Sequence, residues 1–322
     1  MRVDNIQNTN FKGALNNKLV LGALEKISDH SATFTALTAV GASMLLRPLA
    51  ISLTPGVKKE NKKHSIASSV SSGLIKLGTT LALSIPIEHA VKTIENSPKE
   101  YLNSSANDFL KHKNSFNFAS QMLKLSANML TAVPKSVLTI SLIPLIMDKI
   151  FKSAKTEENK KAEIPFKGNL EDGFTKFVAK YFNNDAVQNF AKKNISKSAD
   201  LARNMAVATD VLLAGSYALH TKKSKKIDPE RKNNLIYNSL VSTGLSILTG
   251  IGLDGIVKEQ GKGLVKKFAQ ANISDPKLAK YLQGINILRP TVIFAFVYYG
   301  ILPILSNYIA QKLSDKENGQ KS

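Results

Sequence analysis

The chain has 322 residues, a formal net charge of +20, and neither cysteine nor tryptophan. Without cysteine, disulfides, thiolate metal sites and cysteine nucleophiles are excluded. The positive charge is mostly lysine, with Arg2, Arg47, Arg203, Arg231 and Arg289 the only guanidinium forks. With no tryptophan to stack on bases either, the composition argues against a nucleic-acid reader.

Residues 1–30 read as a polar N-terminus followed by an amphipathic helix. Met1 to Leu15 holds no apolar core of a signal peptide, so no cleaved leader is expected. Ser31 to Thr54 is the first apolar segment, interrupted by Arg47-Pro48. A connector carrying Lys58, Lys59, Lys62 and Lys63 leads to the second, Ser65 to Ile87, with Lys76 inside and Pro86 near its end. A polar region follows from Glu88 to Asn117, where Tyr101, Leu102, Phe109 and Leu110 suit a short amphipathic helix. Pro134 opens the third segment, which runs to Phe151 with Lys135 at its entry, since proline at a first helical position forfeits no hydrogen bond.

The charged run Lys152 to Glu163 marks the boundary between halves. Phe174, Phe177, Val178, Tyr181 and Phe182 then recur at helical spacing with Lys176 and Lys180 interleaved, as in a helix lying at a headgroup plane or packed on a neighbour. Asn204 to Thr221 is the fourth apolar segment and contains Asp210. After the basic connector Lys222 to Lys232, the fifth segment (Asn233 to Leu253) and the sixth (Pro290 to Ala310) are free of charge. Such lengths match the hydrocarbon thickness of a bilayer. Gly263 to Ala271 reads as another amphipathic connector, and Lys312 to Ser322 as a polar tail.

The order of elements repeats. Phe11-Lys12-Gly13 precedes the first half and Phe166-Lys167-Gly168 the second, and the last segment of each half carries an internal proline, Pro144 and Pro303. The expectation is an all-α, multi-pass helical membrane protein of two tandem three-helix repeats, with amphipathic connector helices. Repeat one covers 31–151 and repeat two 204–311, separated by a linker and amphipathic helices over 152–203; 312–322 form the tail. Three spans per repeat would invert one half against the other. That would put the two lysine connectors on opposite sides, against the positive-inside rule. The mean hydropathy of −0.08 is low for a transporter and requires long polar connectors.

Ionisable groups within apolar segments are the candidate functional residues: Asp210 paired with Arg47 or Lys76, with Lys135 near a helix end. Charges at that depth pair or line a wet cavity. Pro48, Pro144 and Pro303 are candidate helix breaks, the last two at matching places in the repeats. His30, His64, His89, His112 and His220 are scattered, and no phosphate-binding glycine loop or nucleophile elbow occurs. No catalytic residue, metal or cofactor is expected. The expected partner is the lipid bilayer of a cell or inner membrane, with anionic headgroups at the lysine-rich connectors. The reading is a non-enzymatic membrane scaffold or interaction protein. The alternatives are a solute or ion pathway between the repeats, or a soluble basic helical protein that binds acidic partners.

Overall fold

The structure, a computed structural model, describes residues 17–54, 59–152, 168–224 and 229–305. The first Phe-Lys-Gly marker, the charged run beyond Lys152 and the tail lie outside them. Among the described residues every regular element is helical: α1 (Lys18–Asp29), α2 (Ser31–Leu53), α3 (Lys59–Asn96), α4 (Pro98–Tyr101), α5 (Ser104–Lys111), α6 (Lys113–Leu130) and α7 (Ala132–Lys152). After the gap come α8 (Gly168–Phe182), α9 (Asp185–Asn194), α10 (Ser198–Lys223), α11 (Pro229–Ala271) and α12 (Leu278–Phe296). α12 continues into a π-helical turn, Val297–Ile301.

Two long hairpins form the frame. In the first, Thr33 of α2 meets Ser84 and Glu88 of α3, while Ser43 meets Ser69, so the helices run antiparallel. In the second, Asp200 and Arg203 of α10 meet Lys258 and Asp254 of α11. Each hairpin is closed alike at its tip. Lys62 Nζ donates to the Ser52 carbonyl at 2.8 Å, and Lys232 Nζ to the Lys222 carbonyl at 3.4 Å. These lysines supply donors to carbonyls that a helix C-terminus leaves without partners.

α12 fixes the relation between the hairpins. Gln283 accepts from Ser28, just before α2, and Arg289 donates to the Ala199 carbonyl, at the start of α10. α2 and α10 therefore start at one end of the bundle and run the same way. Both lysine-bearing tips lie together at the other end.

Among the described residues, four helical stretches are long and apolar enough to cross a membrane: Ser31–Leu53, Ser69–Asn96, Ser239–Ala271 and Leu278–Leu305. α10, which carries Asp210, is not among them. Large side chains on the long helices face outward, with Leu45 67%, Leu53 76% and Leu248 72% exposed. The end of the bundle away from the lysine tips differs. There α4, α5, α6, α8 and α9 close over the helix ends around a core of Phe109, Phe116, Phe182, Val178, Val91 and Ile94. Phe116 stacks on Phe182 at 4.8 Å between centroids. The aromatic stripe of α8 thus packs inward through Val178 and Phe182, leaving Phe177 outside.

Segment boundaries differ from the sequence reading in one direction. Helices run through residues that looked like connectors: α3 begins at Lys59 and extends to Asn96, and α11 continues unbroken through Gly263 to Ala271. The prolines do not break helices either. α2 continues through Pro48, and residue 144 lies within α7. Near Pro303 the irregularity falls upstream, as the π turn. Proline lacks the N–H that would bond the carbonyl four residues earlier, at Tyr299, and that turn widens instead.

Candidate functional site

Halfway along the bundle, four helices bring charged groups together and a fifth adds two tyrosines. Arg47 comes from α2, Lys76 from α3, Lys135 from α7 and Asp210 from α10, with Tyr298 and Tyr299 from the π turn. Lys76 Nζ lies 5.8 Å from the centroid of the Tyr298 ring, within cation–π range, and within electrostatic reach of Arg47, Asp210 and Tyr299. Lys135 is 6% exposed and within reach of Lys76 and Asp210. Arg47 and Asp210 are thus both among the charges that act on Lys76. Among the described residues, however, Asp210 makes no contact ion pair. Arg47 Nε is buried without a hydrogen-bond partner, and so is Thr139 Oγ1, one turn beyond Lys135. Beside them Ser136 and Ser216 share a hydrogen bond of 2.5 Å across α7 and α10. Lys135 and the tyrosines join the site although sequence spacing gave no reason to group them.

A second set of charges sits at the capped end. Asp254 is fully buried and accepts from Arg289 Nε at 2.7 Å, Arg289 Nη2 at 3.4 Å and Arg203 Nη1 at 3.4 Å. Lys258 Nζ bonds Asp200 Oδ1 at 2.6 Å. This network ties α10, α11 and α12 together and satisfies its buried carboxylate, so it reads as a structural clamp. Burial pushes the Asp200 carboxyl up, and the Lys258 hydrogen bond with the Arg203, Lys258 and Arg289 charges pushes it further down, leaving it below its ordinary value.

The third buried charge is Glu88. No side chain adjoining the start of α2 caps it. Instead, Glu88 Oε1 accepts from the Ala32 and Thr33 backbone N–H groups, each at 3.0 Å, while Oε2 accepts from the Thr33 hydroxyl at 2.8 Å. A carboxylate at a helix N-terminus meets both orphan donors and the positive end of the dipole. His30 Nδ1 stands 3.2 Å from the same carboxylate. Lys124 is buried nearby, and burial holds its ammonium below the ordinary lysine value against the pull of Glu95, Asp29 and Glu88.

Among the described residues, no three His, Asp or Glu side chains converge as metal ligands would. A partly open gap of about 10 Å³ lined by Gln121, Ser198, Gln283 and Asn286 has room for one water. No protein-family model matches the chain, and no curated protein or solved structure matches it.

Proposed function

We propose that this chain is a multi-pass integral membrane protein acting as a non-enzymatic scaffold or interaction protein, its helical cap outside the bilayer. The observation that carries the reading is the outward apolar face of the four long helices, whose most apolar windows are only 17% to 44% buried. Water would leave leucines such as Leu45 and Leu248 exposed at about 25 cal/mol per Å² of apolar surface, a cost that lipid removes. Local matches support two tandem units: the lysine closures at Ser52 and Lys222, and the N-caps Asn17 and Asn184, whose side chains accept from Leu19 N and Ala186 N. With the units parallel, both lysine tips face one side, and the positive-inside rule assigns that side to the cytoplasm of a cell or inner membrane, next to anionic headgroups. The charge cluster halfway along the bundle favours one alternative, a permeation pathway. Carbonate washing of membranes tests the main reading: retention in the pellet is expected, and release would assign the chain to the soluble class that binds acidic partners.

A further inference from the structure

The cluster of Arg47, Lys76, Lys135 and Asp210 does not balance. Three cations from three helices meet one carboxylate from a fourth, and none of the cations makes a contact ion pair with it. Arginine keeps its proton at every accessible pH, so Arg47 remains charged whatever the lysines do. An excess of positive charge in a packed interior is costly unless an opposite charge sits beside it. Among the described residues, Asp210 is the acid within reach of Lys76 and Lys135, while Asp254 and Asp200 are bound to Arg289, Arg203 and Lys258, and Glu88 caps α2. The donors that remain idle there are Arg47 Nε and Thr139 Oγ1, both buried and unpartnered. Lys135, itself buried at 6% exposure, lies one turn from Thr139. The π turn that brings Tyr298 and Tyr299 to Lys76 is the irregularity of α12, and such turns frequently mark functional sites.

We infer that this cluster is a binding site for a phosphate-class anion, held by Arg47, Lys76 and Lys135 with hydroxyl donation from Thr139. The anion completes the charge balance that Asp210 leaves unfinished. Phosphate oxygens match both the guanidinium fork and the lysine ammoniums. The same chemistry is offered by free inorganic phosphate and by the headgroup of an acidic phospholipid reached between the helices. The inference does not depend on the membrane reading, because it rests on which side chains the helices bring together and not on the medium around them.

Calorimetry on the full chain in a neutral detergent, with inorganic phosphate titrated at constant ionic strength, tests the first source. Native mass spectrometry from phosphatidylcholine nanodiscs with and without phosphatidic acid tests the second. One anion per chain is expected in one arm, and which arm responds identifies the source. Lys135→Met and Lys76→Met each weaken binding at least tenfold. Asp210→Asn removes the competing carboxylate and tightens it severalfold, an outcome that misfolding cannot imitate. Lys63→Gln and Lys223→Gln, at the lysine tips, leave the affinity unchanged. Absence of binding in both arms by folded protein overturns the inference. So does binding that ignores Lys135→Met and Asp210→Asn but falls with the tip variants.

Discussion

Asp254 offers the sharpest test of how the second hairpin is held. Its carboxylate is fully buried and accepts three hydrogen bonds from two guanidinium groups. Asp254→Asn keeps the shape, removes the charge and leaves Arg289, only 12% exposed, without its closest partner. Breaking one side of a buried ion pair costs about 3–5 kcal/mol. The lower end applies here, because Arg203 and Asp200 retain 20% and 25% exposure, through which water and the Arg203–Asp200 contact absorb part of the imbalance. Asp254→Asn combined with Arg289→Met removes both charges and recovers most of the loss, because the residual guanidinium is then Arg203, the more exposed of the two at 20% against 12%. The assay is reversible denaturant unfolding in mixed micelles, read as a double-mutant cycle with an expected coupling of at least about 2 kcal/mol. A single variant within about 1 kcal/mol of the parent, or a double variant as unstable as the single, would refute the clamp.

Glu88→Ala strips the acceptor from two backbone N–H groups and the Thr33 hydroxyl, for an expected loss of about 3 kcal/mol at roughly one per orphaned donor, while Glu88→Gln costs about one. Hydrogen exchange at Ala32 and Thr33 reads it directly, since these amides accelerate first. Gly284→Ala sets a methyl against the Leu24 carbonyl of α1, which only a backbone shift can relieve, so a loss of about 2–3 kcal/mol in thermal unfolding is expected. Gly250→Ala meets the Phe294 ring at 2.8 Å, and a ring that turns aside makes that change less than half as costly. For pH, the Asp200 carboxyl is depressed in the folded state. Its contribution is present above the unfolded value of about 3.9 and vanishes as pH falls through the lower folded value. Lys258→Met makes the acid limb of an unfolding profile shallower.

The apolar segments were legible because length and absence of charge are one-dimensional properties. The same criterion misread the charges that end them. Asp254 follows the segment closing at Leu253, and Arg289 precedes Pro290, so each looked like a boundary where a helix meets water. Both helices run past those points, and the two boundary charges neutralise one another inside the bundle. Glu88 was visible only as the start of a polar region. Its capping of α2 acts across 55 and 56 residues, and no local signature encodes it. Pro48 misled for another reason. A proline removes one hydrogen bond, and packing on both sides holds α2 through it. Asp210, Arg47, Lys76 and Lys135 stood out because charge in an apolar run is conspicuous, with Lys135 placed near a helix end.

The four apolar stretches have a consequence for what surrounds the bundle. Ser136 of α7 lies level with Ser216 of α10. If lipid meets only the four apolar stretches, the outward faces of α2 and α11 are covered, and the flank that α7 presents outward meets water or another protein. Because the chain has no native cysteine, single cysteines report on this without background. With a membrane-impermeant maleimide, Val137→Cys, at 39% exposure, labels readily, whereas Leu45→Cys and Leu248→Cys, at 67% and 72%, stay protected until detergent is added. The order is the reverse of what exposure alone gives. Equal protection of all three would mean that lipid surrounds α7 as well.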